Sequence, residues 1–247
     1  MSLHFLRFDP DLLRCQTWFR QEHLLHRDVE DEGYAWHALL TAAFGRDLAP
    51  KPFRVLGRRG RPPQLLAYSA HDGATLAAHA DAFCDPLAHQ ALNIATLAGK
   101  PMPAFAAGRR LGFEVRVRPV VRTDGPGGRD SVAERDAYVA ACARAGAGPR
   151  PDPADVFADW TRARLAAGGA EVAAIRLDAI AGDKVLRRGA PGSGGGRPLV
   201  AISGHSAVLV GTLSVRDAEA FGVLLARGVG RHRAFGYGML LLSPPEA

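Results

Sequence analysis

Residues 111–121 alternate with a period of two. Leu111, Phe113, Val115, Val117 and Val121 fall on one side, and Glu114, Arg116 and Arg118 on the other. Only an extended chain sends neighbours to opposite faces, so this stretch reads as a strand with one apolar and one polar face. Such a strand needs partners, and residues 101–247 offer them. Helices are expected at about 131–145 and 153–167, strands at 171–180, 199–203 and 207–213, a helix at 216–226 and an apolar last strand at 235–242. Asp124-Gly-Pro-Gly-Gly and Gly146-Ala-Gly-Pro read as loops, and Gly204-His205-Ser206 as a turn between two strands. Residues 181–198 read as a long basic hairpin, with Lys184, Arg187, Arg188 and Arg197 around a Gly/Ser tip. With one helix set aside as additional, the order is β-α-β-β-α-β.

Residues 1–100 repeat that order. Residues 3–8 are strand-like and stop at Asp9-Pro10; an extra short helix is expected within 11–27, and an acidic run occupies 28–32. Gly33–Phe44 carries the helical stripe Trp36, Leu39, Leu40 and Ala43, with Gly45 as its C-cap. Strands at 53–56 and 64–69 flank the basic loop Gly57-Arg-Arg-Gly-Arg-Pro-Pro. A helix at 73–83 sets Leu76, Ala80 and Phe83 on one side, and a strand is expected at 90–97. Lys100-Pro-Met-Pro then breaks the chain. The expected fold is therefore α+β: two tandem ferredoxin-like (RRM-like) βαββαβ domains, 1–100 and 101–247.

Charge divides at the same place. The chain has 31 basic and 25 acidic residues, a net charge of +6; residues 1–100 hold 11 of each, and 101–247 hold 20 basic and 14 acidic. Only Lys51, Lys100 and Lys184 are lysine, so 28 of the cations are arginine. A guanidinium is a planar fork that binds phosphate oxygens bidentately, although a GC-rich genome also raises the arginine count. No apolar run approaches the length of about 18 residues that a membrane span needs. Met-Ser-Leu-His-Phe-Leu-Arg lacks a basic stretch followed by an apolar one, so a cytoplasmic protein without a membrane partner is expected. Cys15, Cys84 and Cys142 are odd in number and far apart, which reads as reduced thiols rather than a disulfide frame or a metal knuckle.

Two segments could carry chemistry. Gly228-Val-Gly-Arg-His-Arg-Ala-Phe-Gly-Tyr-Gly238 combines Gly228, Gly230, Gly236 and Gly238 with Arg231, His232 and Arg233. Glycines let backbone N–H groups reach a phosphate, and arginines add charge-assisted bonds. The segment precedes a strand, unlike a dinucleotide fingerprint, and lacks the Gly-Lys-Ser/Thr of a P-loop. A turn shaped only by packing is the plainer alternative. Tyr34 and His37 stand at i,i+3, on one helix face beside the apolar stripe. A histidine near neutral pKa can take a proton from a 2′-OH or give one to a 5′-oxygen, though such a pair can equally be packing. Lys184, Arg187 and Arg188, with Arg116 and Arg118, could neutralise RNA phosphates or simply face solvent. His23 and His26, with Asp28 and Glu30 nearby, admit a metal site, but no HExxH or HxH pattern supports one, and no Gly-x-Ser-x-Gly marks Ser206 as a nucleophile. No metal and no cofactor is expected.

Taken together, these segments resemble the CasE family, the CRISPR repeat-processing endoribonucleases of type I-E Cascade. The resemblance rests on Tyr34-x-x-His37 in the first helix of the first domain and on Lys100-Pro-Met at the junction. It rests also on Phe105-x-x-Gly-x-x-Leu-x-Phe113 running to Arg118-Pro119, and on Gly228–Gly238 leading into Met239-Leu-Leu-Leu. It covers nearly the whole chain, and the C-terminal motif is the most specific. It implies metal-independent cutting of repeat RNA at the base of its stem-loop, leaving a 2′,3′-cyclic phosphate and a 5′-OH. His37 would transfer the proton, Tyr34 would sit at the scissile phosphate, and Lys184, Arg187 and Arg188 would grip the stem. The implied partners are the CRISPR repeat or guide RNA stem-loop and the backbone and 5′-end-capping subunits of Cascade, the product being retained at the 3′ hairpin. The chain departs from the family in the longer connection 9–33 and the glycine-rich tip Gly189–Gly196. The alternative is a Cascade subunit that holds the hairpin without cutting it; a metal-dependent phosphoesterase using His23 and His26 ranks third.

Overall fold

The structure, a computed structural model, describes residues 2–25, 32–58, 61–125, 128–188 and 199–245. It divides into two compact units. The first holds Met1–Pro103, Asp183–Ser203 and Arg233–Met239; the second holds Ala104–Gly182, Gly204–His232 and Leu240–Ala247.

In the first unit β1 (His4–Phe8) buries Leu6 and Phe8. The carboxylate of Asp11 accepts the Arg14 N–H and so starts α1 (Leu12–Gln21), which buries Cys15, Trp18 and Phe19. α2 (Gly33–Leu48) buries the expected stripe of Trp36, Leu39, Leu40 and Ala43, together with Phe44; Gly45, at φ +72°, interrupts it. β2 (Phe53–Arg58) and β3 (Arg61–Ser69) form an antiparallel hairpin. α3 (Gly73–Phe83) is capped by Asp72 and turns Leu76 and Ala80 inward, whereas Phe83 in its last turn is exposed.

The expected strand at 90–97 is absent. Asp85 and Pro86 are an N-cap and first-turn pair, so α4 (Pro86–Leu92) forms there with Ala88, Ala91 and Leu92 buried at helical spacing. Asn93 in the left-handed region ends it, and the strand comes later, as the exposed β4 (Ala98–Pro101). A strand of Ala-Gly-Lys-Pro carries no apolar alternation to read. The sheet order is β2-β3-β1-β4, and β1 is antiparallel to both neighbours.

The second unit centres on β5 (Arg110–Val117), whose Leu111, Phe113, Val115 and Val117 are all buried. Asp124, Gly125 and Gly128 at the edges of the expected loop, and the expected helix start at 131, belong to a two-stranded ribbon, β6 (Val120–Gly125) and β7 (Gly128–Asp136), while residues 126–127 of that loop lie outside the described residues. The helix boundary lies at Asp136, whose Oδ1 accepts the N–H groups of Tyr138 and Val139 and caps α5 (Ala137–Ala145). α6 (Pro153–Ala167), β8 (Ala170–Arg188), β9 (Leu199–Val215), α7 (Ala218–Arg227) and β10 (Leu240–Ser243) complete the chain. The sheet order β10-β5-β9-β8 is the arrangement of the first sheet, so both units are ferredoxin-like.

Gly204-His205-Ser206 is not a turn but the interior of β9. Gly204 leaves room for a buried guanidinium: a Cβ there would lie 2.8 Å from Nη2 of Arg118, which would have to shift. Arg118 itself falls just past β5 and is 2% exposed, so it is not on the strand's polar face. The last strand is shorter than expected, because Arg233–Phe235 forms a 3₁₀ turn. Among the described residues no helix is long and apolar enough to cross a membrane.

Candidate functional site

The first turns of α2 carry Tyr34 and His37 on one face. Both meet one ring, that of Phe235 in the 3₁₀ turn of the glycine-rich segment. His37 stands edge-on to it, with centroids 5.4 Å apart and planes at 88°. The Tyr34 ring is tilted, 6.0 Å away at 38°. Tyr34 is buried and His37 half-buried. Together they line a cavity of about 750 Å³, whose wall also includes Glu22, Thr41, Arg46 and Lys51. Burial, then the nearby charges of Lys51 and Arg46, hold the His37 pKa below the usual 6.5, so its imidazole is neutral at pH 7. A neutral imidazole with a phenol one turn away can accept a proton from a hydroxyl group.

Phe235, Arg46 and Lys51 were not singled out by spacing or motif. Their signals were faint: an aromatic among four glycines, a cation directly after the helix-breaking Gly45, and one of only three lysines.

The glycine-rich segment has the backbone its composition foretold, with φ values of +76° to +82° at Gly228, Gly230, Gly236 and Gly238. His232 shares the left-handed region at +59°. Two of its basic-type side chains are engaged, however. Glu134 of β7 holds Arg231 Nε at 2.5 Å and His232 Nε2 at 3.0 Å. The His232 side chain is 5% exposed. Burial lowers its pKa, as do Arg118 and Arg231, against the opposing pull of Glu134; neutral His232 therefore donates Nε2–H to the carboxylate. Arg233 lies half-buried in the 3₁₀ turn. Tyr237, fully buried, donates its hydroxyl to Asp183 at 3.1 Å.

The remaining expected contacts are dispersed. Lys184 is exposed on β8, and Arg187 and Arg188 follow on the same strand. The hairpin tip 189–198, with Arg197, lies outside the described residues, as do the side chains of Arg187 and Arg188. Arg116 is half-buried on β5. His23 is exposed beyond α1, while His26, Asp28 and Glu30 lie outside the described residues. No group of three or more metal-capable side chains occurs among the described ones. Ser206 is buried inside β9, and His205 is held by Asp136, which accepts its backbone N–H at 2.9 Å and lies 3.1 Å from Nδ1.

The family model described as CRISPR associated protein matches residues 3–244. The chain belongs to this CRISPR-associated family. The fold of this family member is similar to that of several solved structures. One is a CRISPR endoribonuclease Cse3 bound to 19-nucleotide RNA, at TM-score 0.63 and 20% identity over 99% of this chain and all of that one. Another is Thermus thermophilus Cse3 bound to an RNA representing a pre-cleavage complex, at 0.59 and 18% over 99% and 100%. A third is a chain of a pre-nicking CRISPR RNA-guided surveillance complex, at 0.54 and 19% over 99% and 100%. A comparison with curated protein sequences finds no match.

Proposed function

We propose that this CRISPR-associated protein is a CasE-type endoribonuclease that cuts repeat RNA at the base of its stem-loop without a metal ion. The observation that carries this reading is the placing of Tyr34 and His37 against Phe235 of the glycine-rich segment, on one cavity. Neutral His37 takes the 2′-OH proton as O2′ attacks the neighbouring phosphorus. The P–O5′ bond breaks, the leaving O5′ takes a proton from water while the His37 imidazolium returns its own to solvent, and the products are a 2′,3′-cyclic phosphate and a 5′-OH. Tyr34 Oη is suited to a hydrogen bond with a non-bridging phosphate oxygen, which fixes the phosphorus for in-line attack. Catalysis here is proton transfer plus positioning, so it asks for a base that is unprotonated at working pH, and the lowered pKa of His37 supports that role.

Residues 1–100 are read as the domain of the chemistry and 101–247 as the domain that grips RNA, although Arg233–Met239 clusters with the first. Lys184, exposed on β8, together with Arg187 and Arg188, suits the phosphates of an A-form stem, whose narrow major groove excludes side-chain readout. Retention of the cut hairpin within Cascade belongs to the same proposal, as do the partner subunits along the guide.

The test is incubation of the protein with a CRISPR repeat hairpin in EDTA. Wild type is expected to cut once, and His37→Ala to lose the activity. Salt-dependent binding without product would favour the non-cutting hairpin-binding subunit instead. Activity that disappears with the chelator would favour a metal-dependent phosphoesterase.

A further inference from the structure

The structure assigns Arg46 and Lys51 as a cationic pair that binds the scissile phosphate and balances the charge developing on it, an inference that rests on the cleavage reading above. Both residues line the cavity of Tyr34 and His37. Both are exposed and thus open to a ligand. Among the described residues neither is ion-paired, whereas Arg231, one of the cations expected from the glycine-rich segment, is paired with Glu134. The cavity wall sets the apolar side chains of Ala38, Ala42 and Pro50 beside one carboxylate, Glu22, which among the described residues forms no ion pair with either cation.

The chemistry asks for such a pair. Attack of O2′ takes the phosphate from one negative charge to nearly two, while a single proton leaves with His37. Preorganised cations that meet this charge in a site covered by RNA act more strongly in the transition state than in the ground state. A guanidinium can hold two phosphate oxygens in its fork, and an ammonium serves as a compact point charge.

The pair also acts on the base. The charged and titratable groups on the cavity wall are Glu22, Tyr34, Arg46 and Lys51. The two cations disfavour the imidazolium and keep His37 ready to accept a proton. A bound phosphate cancels part of their field, so His37 becomes a stronger base where the reaction needs one.

The experiment is single-turnover cleavage of a repeat hairpin by wild type, Arg46→Ala, Lys51→Ala and Lys51→Arg. Binding is measured in parallel with a hairpin carrying a 2′-deoxy nucleotide at the cut site. The expected loss in cleavage rate is about 10²-fold for an alanine variant, with a much smaller loss of affinity and substantial recovery in Lys51→Arg. Removing a cation raises the His37 pKa, so the acidic limb of kcat/KM moves to higher pH, which general destabilisation does not do. Wild type that cuts beside alanine variants that cut equally fast, with an unmoved acidic limb, would overturn the assignment alone. Wild type that cuts nothing would overturn the cleavage reading and the assignment with it.

Discussion

Phe235→Ala removes a ring that touches both Tyr34 and His37. The contacts are an edge-to-face pair at 5.4 Å and a tilted pair at 6.0 Å. Aromatic pairs of this kind contribute about 0.5–1.5 kcal/mol each beyond burial, so the truncation forfeits about 1–3 kcal/mol. Part of that appears as stability: for a chain of this size about 2–4 °C of melting temperature accompanies each kcal/mol. The rest acts on the reaction. At about 1.4 kcal/mol per factor of ten, complete loss of the positioning energy slows cleavage by about 5- to 150-fold. The assay is single-turnover cleavage of a repeat hairpin at saturating protein, run beside thermal unfolding of the same samples. Phe235→Leu keeps apolar bulk without the ring edge and should fall between wild type and alanine in rate. A Phe235→Ala protein that melts lower yet cleaves at the wild-type rate would refute the positioning role, because the ring would then only pack.

Three further outcomes follow from other parts of the molecule. Because burial and two cations depress the His37 pKa, its basic form persists below pH 6.5; kcat/KM should stay level through neutrality and decline only at more acid pH, and a midpoint above 6.5 would contradict this. Glu134→Ala leaves the nearly buried His232 N–H without its acceptor and Arg231 unpaired, so it should destabilise by about 1–3 kcal/mol in denaturant titration; an unchanged midpoint would show that the clamp contributes nothing. Lys184→Ala should reduce the magnitude of the salt slope of hairpin binding by about 1, whereas Arg118→Ala, at a residue 2% exposed, should lower stability and leave that slope unchanged.

What could be read in the sequence was whatever local periodicity determines. The alternation at 111–117 and the stripe Trp36, Leu39, Leu40 and Ala43 declare which face is buried, and the structure buries those residues. Where two local signals competed, the chain followed the cap. Asp85-Pro86 starts a helix in a segment whose Ile94 and Leu97 read as strand, and Asp136 delays a helix expected from residue 131. Gly204 misled for a different reason: glycine marks both turns and close approaches, and only the buried Arg118 beside it distinguishes them.

The candidate site divides the same way. Tyr34 and His37 share a helix face, and their i,i+3 spacing is visible in the chain. Phe235 reaches them from nearly two hundred residues away, and no local pattern encodes a contact of that range. The engagement of Arg231 by Glu134 was equally invisible, because it joins β7 to a loop about a hundred residues later. Composition marked the left-handed glycine backbone of this segment, but it could not say which of its side chains the protein itself engages.

The central claim is that His37 moves a proton for an RNA 2′-OH that acts as the nucleophile. Analysis of the product ends by mass spectrometry, using a normal repeat hairpin and one with a 2′-deoxy nucleotide at the cut site, tests it most directly. The account predicts a 2′,3′-cyclic phosphate and a 5′-OH from the normal RNA, and from the deoxy RNA full binding with no cut. A 3′-OH with a 5′-phosphate, or cleavage of the deoxy RNA, would contradict it.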